Sequence, residues 1–268
     1  MKNKTLVAVS LGVFTILIVS ICLLNPADSS AGEKILAQGN NDQVPPGLKK
    51  IPPGLEKIVF IHYKKGADKN NRPVKPDKPG KPTSEPECYG FLANGVKWNT
   101  DINVFIDNNI SDTFGTKAII DAAEEWDQYT PTLLFQNWDV ASGLDWDGDP
   151  GDQPDSKNEL LFGDYPDGNV IAVTVVWGRF SGPPKFREIF EFDILFNTDF
   201  SWGDTGDSSV MDLQNIATHE LGHGLGLGDI YVDSCSDVTM YGYSGYGETS
   251  KRTLEGPDVT GLQELYGQ

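Results

Sequence analysis

The sequence predicts an α+β domain in which a twisted mixed β-sheet packs on helices above a smaller lobe. Short runs rich in β-branched and aromatic residues occur between residues 102 and 196, with one helix-like segment among them. Two further helix-like segments follow at residues 208–224 and 258–265. Residues 88–268 amount to roughly 180 residues, which is enough chain for one substantial hydrophobic core.

The individual elements follow from periodicity along this domain. A strand is predicted at residues 102–106, and a helix follows at about residues 113–129. Four side chains recur at helical spacing on one face of that helix: Ile119, Ala122, Ala123 and Trp126. The remaining strands are predicted at residues 133–135, 160–163, 170–177 and 189–196. The strand at 170–177 has the alternation of an ordinary half-buried strand.

The N-terminal 31 residues have the character of a targeting segment. Lys2 and Lys4 precede an apolar run over residues 6–24, and small residues follow at 29–31. This pattern is typical of a secretory signal, although the run is also long enough for an uncleaved membrane anchor. The protein is therefore expected to be secreted, or anchored to the outer face of the cell membrane.

Residues 32–87 are rich in proline and lysine and contain a tandem PPGL repeat at residues 45–48 and 52–55. Such a composition favours extended polyproline conformations and cannot bury a core. We interpret this tract as a spacer or a pro-segment that precedes the domain at residues 88–268.

Charge separates these parts of the chain. The 268 residues include 39 Asp and Glu against 21 Lys and Arg, and residues 88–268 carry 31 acidic against 8 basic side chains. Binding to nucleic acid through phosphate contacts requires clustered basic residues, so no nucleic-acid partner is expected. Five aspartates crowd one short stretch and are candidate calcium ligands: Asp145, Asp147, Asp149, Asp152 and Asp155. A solvated acidic loop is the alternative.

The most informative motif is the run of His219, Glu220 and His223. Histidines four positions apart lie on the same face of a helix, so both rings can reach one metal ion. With a glutamate between them, this is the H-E-x-x-H arrangement of zinc hydrolases. Gly226 follows three residues later, where a helix end often needs a left-handed residue, and predicts a sharp turn.

Asp229 is the candidate third ligand, since the returning chain can bring its carboxylate to zinc at about 2.0–2.2 Å. The chain has three histidines, and the remaining one, His62, lies far upstream in the Lys- and Pro-rich tract. A site with three histidines is therefore not expected. A distant glutamate such as Glu248 or Glu255 is an alternative third ligand, which the compact spacing of Gly226 and Asp229 disfavours.

The extended pattern H-E-x-x-H-x-x-G-x-x-D resembles the metzincin clan of zinc endopeptidases, with aspartate in place of the usual third histidine, as in snapalysin-like members. Val238 to Tyr243 is similar to the Met-turn of that clan, with Met240 as its methionine. The segments at residues 168–177 and 192–202 are similar to strands and an acidic turn of matrixins. The resemblance implies a metzincin-like sheet with an active-site helix, a Met-turn and a C-terminal helix.

The resemblance also implies further features of the site. The strand at residues 170–177 would border the cleft and pair with an extended peptide. Loops of matrixins hold structural ions, which adds three candidate calcium ligands: Asp193, Asn197 and Asp199.

Cys88 and Cys235 remain after removal of a signal, and two cysteines of an exported protein usually form a disulfide. The alternative is that the Cys88 thiolate binds zinc in a latent precursor, as a pro-segment cysteine does in matrixins. Cys88 lacks the arginine-containing flank of that switch.

These observations predict a monomeric zinc endopeptidase that acts on protein or peptide substrates. Glu220 is the expected catalytic base, and calcium is a candidate structural cofactor. A catalytically weak, calcium-stabilised surface-binding module on the same fold is the alternative function.

Overall fold

A computed structural model describes residues 35–36, 54–67, 87–110 and 114–268. The predicted signal or anchor at residues 1–31 lies outside the described residues. In the part of the chain that the structure describes, no helix has both the length and the apolar character needed to cross a bilayer.

The described residues form ten strands and three α-helices. The strands are β1 (Ile35–Leu36), β2 (Glu56–Lys64), β3 (Ile102–Asp107), β4 (Phe135–Ala141), β5 (Asn158–Gly163), β6 (Val170–Arg179), β7 (Glu188–Asn197), β8 (Trp202–Gly203), β9 (Met211–Asp212) and β10 (Tyr243–Ser244). The helices are α1 (Gly115–Asp127), α2 (Leu213–Gly224) and α3 (Gly256–Tyr266).

One mixed sheet organises the described part of the chain, with the strand order β1-β2-β6-β7-β5-β3-β4. Strands β4, β3, β5 and β7 are parallel, whereas β6 is antiparallel to β7. These five strands and the helices form the predicted α+β architecture, which is confirmed. Strand β2 extends the sheet beyond β6, and β10 pairs with β2 on its other side.

The core lies between the sheet and helices α1 and α2. The predicted apolar face of α1 is buried, and Trp126 and Phe192 are among the largest fully buried side chains. Strand β6 is buried on both faces rather than half-buried. The main core covers one face, and a second cluster that includes Leu55 and Trp146 covers the other.

Part of the tract at residues 32–87 is folded into the sheet, contrary to the expectation that its composition cannot bury a core. Residues 56–64 form a regular strand that pairs with β6, although the surrounding tract is rich in proline. Residues 58–63 are a run of β-branched and aromatic residues with a single histidine, which is the local pattern of a strand. The proline-rich composition on both sides obscured that signal.

Candidate active site

Helix α2 carries the H-E-x-x-H motif and is fixed at its start and on its side. The Asp212 carboxylate caps the helix by accepting the N–H of Asn215 at 3.0 Å, which explains why α2 begins five residues later than predicted. The indole Nε1 of Trp126 in α1 donates to the carbonyl of Thr218 at 2.8 Å. These contacts hold the motif side chains in the core.

The chain turns sharply at the end of α2. Gly226 has a φ of +101°, and an added Cβ would lie 2.9 Å from the carbonyl oxygen of Val96. The N–H of Gly226 donates to His223 and that of Leu227 donates to Gly222, which closes the helix end. The predicted turn at Gly226 is confirmed, and it returns Asp229 to the histidines.

Three potential ligand atoms converge at this point. Asp229 Oδ1 lies 3.3 Å from His219 Nε2 and 3.5 Å from His223 Nε2. A tetrahedral zinc ion with bonds of about 2.05 Å separates its ligand atoms by roughly 3.3 Å. Among the described residues, His219 Nε2 and Asp229 Oδ1 are buried without a hydrogen-bond partner. The arrangement therefore fits zinc in both donor type and spacing.

Backbone carbonyls orient both imidazole rings. His219 Nδ1 donates to the carbonyl of Thr239 at 2.7 Å, and His223 Nδ1 donates to that of Leu227 at 3.0 Å. Each bond leaves Nε2 as the ring atom with a free lone pair. Burial lowers the pKa of His219 to about 4, so its ring is neutral at pH 7.

The turn that contains Met240 lies beneath these ligands and is held by Asp258 of α3. The Asp258 carboxylate accepts the N–H groups of Thr239 at 2.8 Å and Met240 at 3.1 Å. A Cβ on Gly222 would lie 2.4 Å from the Met240 sulfur, so glycine allows the turn to approach α2 this closely. The sequence offered no signal for the role of Asp258, because it acts across two elements.

Lys251 also supports this turn, and sequence reasoning missed it. Its buried ammonium donates to the carbonyls of Tyr241 and Tyr243, at 3.1 Å for the latter. Burial lowers the pKa of Lys251 to about 8.

The Glu220 carboxylate has a partner for each oxygen. Thr174 Oγ1 in β6 donates to Oε2 at 2.6 Å, and His62 Nδ1 in β2 lies 2.8 Å from Oε1. The other ring nitrogen of His62 lies 3.0 Å from the Ser244 hydroxyl. Burial raises the pKa of Glu220 to about 7. His62 lies far upstream in the sequence, and strand pairing brings it to the site from 158 positions away, a contact that the sequence analysis did not anticipate.

Comparison with known proteins agrees with this geometry. Residues 105–267, more than half of the chain, match the Matrixin family. The chain belongs to the matrixin family. The resemblance to metzincin-type proteases is thereby confirmed, and residues 105–267 form a matrixin domain.

Individual relatives match this matrixin over shorter segments. Human matrilysin is 38% identical over 76 residues, and rat matrilysin is 42% identical over 77 residues; each match covers 28% of this chain and 27% of the relative. The hatching enzyme of Paracentrotus lividus is 31% identical over 133 residues, or 50% of this chain and 21% of the enzyme. The chain thus spans about a quarter of the length of these relatives.

The acidic loop of this matrixin, residues 142–157, folds against the start of β7. Two groups of carboxylates lie within reach of one cation each: Asp145, Asp155 and Glu159, and Asp147, Asp155 and Glu191. Glu159 and Glu191 were missed, because they lie on strands rather than in the loop. Burial raises the pKa of Glu191 to about 9 and that of Asp147 to about 6, with nearby carboxylates adding to both shifts.

The other candidate calcium ligands divide into three sets. Asp193 accepts the backbone N–H groups of Asp147 and Glu159 and thus contacts one residue from each of the two carboxylate groups. Asp152 accepts the N–H of Asp149 within the loop. Asn197 and Asp199 lie at the opposite end of β7, where Asn197 Nδ2 donates to Val170, so the structure does not bring them to the acidic loop.

Cys88 and Cys235 form a disulfide with a Cα–Cα distance of 5.4 Å, as predicted. The alternative of Cys88 as a zinc ligand is therefore wrong. The other alternative ligands are also engaged elsewhere: Glu248 accepts from Lys65 and Gly245, and Glu255 caps α3.

Proposed function

We propose that this matrixin is a zinc-dependent endopeptidase that hydrolyses peptide bonds of proteins. The observation that carries the proposal is the triangle of His219 Nε2, His223 Nε2 and Asp229 Oδ1, whose spacing suits a tetrahedral metal ion. Asp229 is the third ligand in this proposal, in the snapalysin-like position. Tyr231 supports that role by donating its hydroxyl to Asp229 Oδ2 at 3.1 Å, which leaves Oδ1 for the metal.

Bound zinc would polarise the substrate carbonyl and acidify a water molecule. Glu220 is the base that accepts a proton from the attacking water and delivers it to the leaving amine. Its raised pKa suits both acceptance and donation near neutral pH. Thr174 positions the carboxylate by donating its hydroxyl to Oε2, so Oε1, which His62 contacts in this structure, is the oxygen that would accept the proton.

Calcium is proposed as a structural ion at the acidic groups. Oxygen ligands on both the loop and β7 would join the two elements through one ion. A cation would also offset the mutual repulsion of Asp147, Asp155 and Glu191.

We propose from the N-terminal sequence and the disulfide that the protein is secreted or anchored to the outer face of the cell membrane. Disulfides persist in oxidising compartments, which agrees with a chain that carries a signal or an anchor at residues 1–31. Protein or peptide substrates are the proposed partners, and the chain is proposed to act as a monomer.

The test is hydrolysis of a denatured protein by the purified chain before and after removal of metal with a chelator. We expect activity to be lost with the metal and restored by about one equivalent of zinc. Stoichiometric zinc without hydrolysis in any form of the chain would favour the surface-binding module instead.

A further inference from the structure

Strand β2 occupies the side of β6 on which a peptidase of this family would bind an extended peptide. It runs antiparallel to β6 from Glu56, opposite Gly178, to Tyr63, opposite Val170. On its other side it pairs in parallel with Tyr243–Ser244 of β10. Addition of a strand to a sheet edge is the way extended peptides are commonly bound, so β2 lies where a substrate would lie.

Alternate side chains of β2 face the candidate metal site. Phe60 and His62 share one face of the strand, as residues two apart do. The Phe60 ring stacks on the His223 ring with centroids 3.9 Å apart and an angle of 8° between the planes. The His62 ring lies 4.1 Å from that of His219 and is 1% exposed.

His62 engages the carboxylate of the proposed base. An ionised carboxylate can only accept, so His62 Nδ1–H donates to Glu220 Oε1 and Nε2 accepts the hydroxyl of Ser244. Since Thr174 already donates to Oε2, both oxygens of Glu220 are engaged. The group that would activate water to cleave β2 is thus held by a side chain of β2 itself.

The beginning of β2 is anchored on the domain by polar contacts. Glu56 accepts the N–H of Ser181 at 2.9 Å. The ammonium of Lys57 donates to the carbonyls of Gly148 and Asp149, at 3.1 and 2.7 Å, in the acidic loop. These bonds fix the register that places His62 against Glu220.

We infer that residues 54–67 are an internal inhibitory strand that fills the peptide-binding cleft and blocks catalysis through the hydrogen bond from His62 to Glu220. The inhibition acts on Glu220, the proposed base. Cys88 offers no thiolate to the metal because it forms a disulfide with Cys235. Cleavage of the chain between Ala67 and Cys88 would permit release of β2 while the disulfide keeps the domain intact. This inference rests on the proposed peptidase function.

The first test compares hydrolysis of a fluorogenic peptide by full-length variants. Loss of a buried, charge-assisted hydrogen bond weakens cleft occupancy, so His62→Ala should raise activity about tenfold or more. His62→Asn should remain near wild type because its amide still donates to Glu220. Val59→Ala is the matched control, since Val59 packs on the other face of β2 against the cluster of Leu55, Val175 and Trp177. Wild-type chain as active as His62→Ala would overturn the inference.

The second test does not depend on activity. A full-length chain with a specific protease site inserted between Ala67 and Glu87 is cut, and a labelled peptide of residues 54–67 is added. Fluorescence anisotropy should show that the peptide with His62→Ala binds about tenfold more weakly than the unaltered peptide. Equal binding of the two peptides would contradict the inference. This result is decisive even if the full-length His62→Ala variant fails to fold.

The two proposals fail in different ways. If no form of the chain hydrolyses peptides but the unaltered peptide binds more tightly, the peptidase function is wrong and the filled cleft stands. If the cut chain is active and the two peptides bind equally, the peptidase function stands and the inhibitory strand is wrong.

Discussion

Replacement of Glu220 by Gln tests the proposed mechanism most directly. Glutamine has nearly the same shape, and its amide oxygen can still accept the hydroxyl of Thr174, now at 2.6 Å from Oε2. The amide nitrogen can donate to His62 Nδ1 if the imidazole proton moves to Nε2 and donates to Ser244. The fold should therefore be retained, and the change removes a proton acceptor and little else.

The expected magnitude follows from the role of the base. Proton transfer by a positioned side chain contributes about 10²–10⁴-fold to rate, so kcat/KM should fall by that factor, or by about 3–5 kcal/mol of transition-state stabilisation. Zinc content should stay near wild type, because the convergent ligand atoms belong to His219, His223 and Asp229.

The assay measures kcat/KM with one fluorogenic peptide, with and without His62→Ala, so that cleft occupancy by β2 does not hide the effect. Zinc content is measured on the same samples. Glu264→Gln is the matched control, since Glu264 is an exposed residue of α3 whose carboxylate accepts a hydrogen bond from Tyr89 rather than from a residue of the site. Activity of Glu220→Gln within about tenfold of its parent would refute the role of Glu220 as base.

Two further outcomes test the metal sites. Asp229→Ala should lose zinc readily, whereas Asp229→His should keep zinc and some activity. Zinc content and the pH dependence of kcat/KM measure both outcomes. If Asp229→Ala binds zinc with the same affinity as the wild type, Asp229 is excluded as a ligand. Saturating calcium should raise the melting temperature by about 5–10 °C at pH 8 and by less at pH 5. Burial raises the pKa of Glu191 in the folded state to about 9, so the stability of the metal-free fold falls as the pH rises above about 4.5. Calcium therefore has more stability to restore at pH 8 than at pH 5. In differential scanning fluorimetry Glu191→Gln should reduce this calcium shift and Asp199→Asn should not; an equal shift in both variants would argue against the site.

Much of the fold was predictable because its signals are local. The alternation and composition of residues 170–177 and 189–196 identified β6 and β7 within three residues at each end. Helix α1 was predicted from its apolar face, which is buried as expected. At the start of α2, which lies five residues later than predicted, the side chain of the capping residue Asp212 decides where the helix begins.

The sequence by itself determined the convergence of His219, Glu220 and His223, because four residues span about one helical turn. It also determined the turn at Gly226, since a positive φ is accessible to glycine at small cost. Only the tertiary structure decided which distant groups surround that motif. His62, Thr174 and Asp258 reach it by strand pairing and helix packing over tens of residues, and pairing partners leave no periodic trace in a single sequence. The H-E-x-x-H motif is therefore encoded within about one turn of helix, whereas the strand that covers it depends on a non-local register.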